Sequence, residues 1–110
     1  GVVIVTTPQA VALADARKGL EAFRRMNVPV LGVIENMGAF VCPCCGTRSA
    51  LFGEGGGRRE ATRAGVPFLG EIPITPELCA LSDSGTPIVA ASPDSAPAQV
   101  FTEIARALLS

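Results

Sequence analysis

Two continuous apolar runs, Val2-Val3-Ile4-Val5 and Val30-Leu31-Gly32-Val33-Ile34, constrain this chain more than any other feature. Neither alternates with polar residues, so each reads as a strand covered on both faces, the pattern of a parallel sheet. Between them Leu13, Ala16, Leu20 and Phe23 recur at helical spacing through Met26, with Thr7 as the expected N-cap and Pro8 at the first helical position. Asn27 and Pro29 stop that helix. Strand, helix and strand in this order form a right-handed βαβ unit. Asp15, Arg17, Lys18, Glu21, Arg24 and Arg25 fall on the remaining helix surface and read as a solvated face.

A βαβ unit directs attention to the carboxyl end of its second strand, the edge along which open α/β sheets bind ligands. Glu35-Asn36-Met37 falls there. The Asn36 amide both donates and accepts, so it suits the edge of a purine base; a turn-forming Asn is the alternative. Further on, Leu51-Phe52 leads into Gly53-Glu54-Gly55-Gly56-Gly57 and a short helical pattern from Arg58 to Ala64, closed by Gly65. A Walker A loop needs Gly-Lys-Ser or Gly-Lys-Thr, and Arg58-Arg59 stands here instead, so these glycines read as a hinge. Phe68 to Ile72 reads as a third strand ending at Pro73, Glu77 to Leu81 as a helix with Cys79 buried on it, and Ile88-Val89 as a short strand. Phe101, Ile104, Ala105 and Leu108 mark a closing amphipathic helix.

Three of the four cysteines occupy Cys42-Pro43-Cys44-Cys45, followed by Gly46. A Cys-x-x-Cys pair on one tight turn lets two thiolates, here Cys42 and Cys45, converge on one metal ion or cluster. Closed sites want four ligands, and neither Cys44 nor the distant Cys79 is an obvious partner. A second copy of the chain related by a two-fold axis would supply the other two thiolates. A metal-bridged homodimer follows as the leading expectation, and a zinc-bridged structural dimer without transfer is its alternative. A thiol redox module fits less well, because Gly46-Thr47-Arg48 gives no helix start after the pair.

With 110 residues, 48% apolar content and net charge −1, the chain is one domain at most and carries neither a disordered composition nor a nucleic-acid footprint. No apolar run is long enough to span a bilayer, and the closing helix lacks the basic face of a membrane-surface helix, so neither nucleic acid nor membrane is an expected partner. The cysteine clustering fits metal chemistry in a reducing compartment, with the cytoplasm as the default. The chain opens directly on a strand without an initiator Met, as a piece of a longer protein would.

Taken together, Val5-Thr6-Thr7-Pro8-Gln9, residues 14 to 19, Val28 to Met37, Cys-Pro-x-Cys-Gly at 42 to 46, Phe-Gly-x-Gly-Gly-Gly at 52 to 57 and Gly65 to Pro73 resemble the Mrp/Nbp-type iron-sulfur cluster carrier ATPases. The resemblance runs through nearly the whole chain in order. It implies an α/β, partial P-loop NTPase-type fold of the deviant-Walker, MinD-like class, a mainly parallel sheet flanked by helices. On this reading residues 1–110 are the C-terminal part of one such domain, its N-terminal half missing, with the cluster loop at 40–49. The resemblance further implies a homodimer holding a 4Fe-4S cluster on Cys42 and Cys45 of each subunit, with apo iron-sulfur proteins as recipients. Asn36 matches the adenine-contacting asparagine of the class, and Ile72-Pro73 the segment flanking the base. ATP and Mg belong to the intact protein. This chain has no Walker A lysine, so hydrolysis by it alone is not expected.

Overall fold

The computed structural model describes all residues, Gly1 to Ser110. β1 (Val2–Thr6) runs parallel to β2 (Val30–Val41), with Val3 beside Gly32 and Val5 beside Ile34. Parallel neighbours need a crossover, and α1 (Ala10–Arg25) supplies it. At its far end β2 turns back antiparallel into β3 (Arg48–Ser49). After α2 (Gly56–Ala64), β4 (Phe68–Ile74) lies parallel along the other side of β2. The chain closes with α3 (Pro76–Asp83), α4 (Ile88–Ala91) and α5 (Ala96–Leu109). The mainly parallel sheet flanked by helices is the expected class.

The core forms where α1 and α2 meet the sheet. Ile4, Leu20, Val33, Ala61 and Ala64 make one buried cluster, with Phe23, Val30, Val66 and Phe68 packed against it. Polar contacts fix α1 to α2: Arg17 donates to both Glu60 carboxylate oxygens, Arg63 joins from the next turn at 2.9 Å, and Arg24 donates to the Ala64 carbonyl. The Arg17 guanidinium, with Arg63 beside it, holds the Glu60 carboxyl below its usual range. The charged face of α1 otherwise lies in solvent, as its pattern requires.

Several local expectations are corrected. Thr7 does not cap α1; Gln9 does, because the chain bends at Pro8 and the first helical bond runs from the Leu13 amide to the Gln9 carbonyl at 3.0 Å. β2 does not stop at Ile34 but continues to Val41, and β4 continues through Pro73 to Ile74. Ile88-Val89 is not a strand: no strand lies beside it, and the Ala90 and Ala91 amides both donate to the Pro87 carbonyl to open a short helix. Cys79 is exposed, not buried, because α3 buries none of its residues. The two glycines directly before Arg58 are packing positions, not a hinge. Gly56 and Gly57 lie buried in the first turn of α2, where an added Cβ would meet Leu13 Cδ1 at 2.6 Å and Glu35 Cβ at 2.9 Å respectively.

Candidate functional site

β2 carries both halves of the site. It pairs with β1 as far as Glu35, opposite Thr6, so Asn36 is the first residue beyond that parallel pairing. Met37 then takes φ of 58°, unusual for a side chain this bulky, and the register against β4 shifts between Asn36 and Phe40. Past this bulge the strand resumes, and Phe40 and Val41 pair with Ser49 and Arg48. The cysteines occupy the tip of the resulting hairpin.

The tip is closed by backbone bonds from the Gly46 amide to the Cys42 carbonyl (2.8 Å) and from the Cys42 amide to the Thr47 carbonyl (3.0 Å). Gly46 takes φ of 72°, a conformation that glycine adopts without strain. Cys45 lies 3.1 Å from the Thr47 hydroxyl; that hydroxyl, then the Thr47 backbone and the Cys42 thiol, lower its pKa and favour thiolate. Cys42 and Cys45 are therefore brought together. Cys42 is half-buried beside Thr75, Pro76, Ala96 and Pro97, where α3 and α5 begin, whereas Cys44 and Cys45 are exposed. No third Cys, His, Asp or Glu joins the pair to make a closed ligand set. Two soft donors, one half-buried and one exposed, on a hydrogen-bonded turn fit half of a four-thiolate site. From behind, Arg48 on β3 makes a 2.7 Å ion pair with Glu71 on β4, fastening the hairpin to the sheet.

Asn36 and Pro73 are brought together as well. With Met37, Phe52, Ile74, Leu78 and Cys79 they line a mostly apolar recess of about 290 Å³ at the carboxyl edge of the sheet. That volume suits a base ring better than a whole nucleotide. The Met37 amide donates to Asn36 Oδ1 at 3.0 Å, which fixes the side chain at the rim of the recess. At the start of α3, Thr75 caps Pro76 by accepting from the Leu78 amide, and so sets Leu78 and Cys79 on the recess wall.

Two residues of the recess and one buried acid near the sheet edge are not evident from the sequence patterns. Phe52 reads there only as an apolar residue before glycines, and Cys79 as core. The acid is Glu35. Its residue is 1% exposed, and neither carboxylate oxygen has a hydrogen-bond partner. Burial, then the charge of Glu71 directly across the strands, raises its pKa; the Gly57 amide and Arg59 and Arg58 oppose that rise. Its place directly after the apolar run Val30 to Ile34 was the available signal.

This mainly parallel sheet, flanked by helices and with polar residues at the carboxyl edge of its central strand, defines an α/β unit with the fold of MinD. It matches the cell-division ATPase MinD of Pyrococcus furiosus with a TM-score of 0.71 over 99% of this chain and 43% of that one, at 21% identity, a likeness of fold alone. The chain belongs to the ParA-type family described as NUBPL iron-transfer P-loop NTPase, whose model matches residues 1–109. A nucleotide-binding protein from Archaeoglobus fulgidus, solved in complex with ADP, is 43% identical, with a TM-score of 0.65 over 76% of this chain and 34% of that one. The iron-sulfur cluster carrier protein of Pseudomonas fragi is 50% identical over 105 residues, 96% of this chain and 37% of the relative. The chain thus spans about a third of the length of these relatives.

Proposed function

We propose that this chain carries the cluster-holding and base-recognising parts of a cytoplasmic iron-sulfur cluster carrier. The observation that carries the reading is the pair of half-buried Cys42 and exposed Cys45 on one hairpin tip, with no group of three or more ligands there to close a metal site within one chain. Two copies related by a two-fold axis bring four thiolates to one 4Fe-4S cargo. The carrier then hands its cargo to an apo-protein by ligand exchange. Each iron–thiolate bond to Cys42 or Cys45 breaks as a bond to a recipient thiolate forms, without net electron transfer. The Thr47 hydroxyl beside Cys45 lowers its pKa and so favours the thiolate that ligation requires.

Nucleotide recognition belongs to the same reading. Asn36 and Pro73 line a recess sized for a base, and the ADP complex of the Archaeoglobus relative supports adenine as its occupant. The P-loop and Mg needed for hydrolysis come from the rest of a full-length protein, in which ATP binding shifts subunit orientation and so alters all four cluster bonds at once.

The test is iron, acid-labile sulfide and zinc content of the full-length protein after anaerobic reconstitution. About two irons and two sulfides per chain are expected, lost with Cys42→Ser or Cys45→Ser and kept with Cys44→Ser. Stoichiometric zinc without sulfide would sink the carrier reading and leave a zinc-bridged dimer. Transfer rates that do not respond to ATP would remove the nucleotide coupling alone.

A further inference from the structure

Both ends of the cysteine hairpin are anchored in the walls of one recess. The strand that enters the hairpin leaves from Asn36 and Met37, and the segment returning from it delivers Phe52; all three line the same recess. Cys42 also lies beside Thr75 and Pro76, where α3 begins, so the thiols meet the base side of the sheet by packing as well as along the chain. Phe52 is 40% exposed, a costly position for an aromatic ring unless something covers it. Its location is nevertheless set by the backbone. Gly53 takes φ of 112°, and a Cβ there would lie 3.2 Å from the Pro8 carbonyl oxygen, so the loop rests against the start of α1 and holds the ring over the recess. The recess is also lined by Pro73 and Ile74 of β4, which belong to the paired sheet. One wall is therefore built into the sheet and the other is carried on a loop.

We infer that Phe52 is the closing wall of the base recess, stacking on the ring that enters it, and that it transmits occupancy to the Cys42–Cys45 hairpin. The inference deepens the proposed function and rests on Asn36 and Pro73 being adenine-side residues. An aromatic face gives a base stacking energy without regard to its edge, while Asn36 reads the edge, so the two divide affinity from selectivity. When a ring fills the recess, Phe52 and Met37 adjust to it, and these residues lead directly into the two ends of the hairpin.

The experiment uses the full-length protein without cluster. ADP affinity is measured by titration, and the alkylation rates of Cys42, Cys45 and Cys79 are followed by peptide mass spectrometry with and without saturating ADP. Phe52→Ala is expected to weaken ADP by about tenfold, the scale of one lost base–aromatic stack, while Phe52→Tyr stays near the parent. ADP should slow alkylation of Cys79, which lines the recess, in all of them. It should also change the Cys42 and Cys45 rates in the parent and Phe52→Tyr, but not in Phe52→Ala at saturation. Parent-like ADP affinity in Phe52→Ala, or an unaltered hairpin response, overturns the inference, provided Asn36→Ala still weakens ADP and Cys79 is still protected. If Asn36→Ala binds normally and Cys79 is not protected, the adenine reading itself has failed. Should Phe52→Ala lose its native circular dichroism, Phe52→Leu, which keeps bulk without the aromatic face, takes its place with the same expectations.

Discussion

At the scale of single residues, Glu35 is the most consequential side chain outside the cysteines. Its carboxyl is buried without a partner, and burial followed by the Glu71 charge raises its pKa. Above the unfolded carboxylate value, the native chain keeps a proton that the unfolded chain releases, so stability falls as pH rises through the raised native value. Glu60 works in the opposite sense: held low by Arg17 and Arg63, its contribution is present at neutral pH and is lost on acidification. Glu35→Gln is therefore expected to raise the urea midpoint at about pH 8 and to change it little at about pH 4. Equal shifts at both pH values would refute the assignment. Legibility at this scale was mixed. Cys42 and Cys45 could be paired from spacing, because a tight turn has few geometries. The exposure of Cys79 could not be read, because burial depends on where α3 settles and not on its own sequence.

At the scale of elements, the glycine run shows why local reading runs out. The residues that looked like a hinge are the close approach of α2 to the sheet, with Gly57 against Glu35 and Gly56 against Leu13. Gly57→Ala places a Cβ 2.9 Å from Glu35 Cβ and should cost about 1–3 kcal/mol in chemical denaturation, by overpacking. The control is Gly19→Ala in α1, where an added Cβ meets nothing within 4 Å; it should gain up to about 1 kcal/mol. The helix was legible from its 3.6-residue period, and the two strands from short β-branched apolar runs, one ended by Thr6-Thr7 and the other opened after Pro29. The strand ends were not. β2 outruns its apolar stretch because β4 pairs with Glu35, Asn36 and Phe40 and the β3 hairpin partner then pairs with Phe40 and Val41. Ile88-Val89 failed for the converse reason, being strand-like residues with no neighbour to pair.

For the molecule as a whole, the α1–α2–sheet core carries stability. Leu20 is 3% exposed in it, and Leu20→Ala should cost about 2–5 kcal/mol in urea unfolding. The other whole-molecule feature is the β1 side of the sheet. β1 pairs only with β2, Val5 is 59% exposed, and a groove of about 420 Å³ lined by Val3, Thr6, Asp15, Gly19 and Asn36 runs along it. An open strand edge invites another strand. Residues 1–110 expressed by themselves should self-associate in a concentration-dependent way by light scattering, and Val5→Lys should suppress it. Unchanged association in that variant would place the contact elsewhere.

The bulge in β2 has a last implication. From Asn36 to Phe40 the strand spends four residues where β4, from Ile72 to Ile74, spends two. The surplus is contour length, about 6–7 Å if drawn straight. A strand held in strict register has a tip whose reach is dictated by its neighbour; a strand with slack does not. The thiol tip at the end of β2 therefore stands at a distance that the pairing of Val33 to Asn36 with β4 does not set, so reach and anchorage are separate properties of one strand.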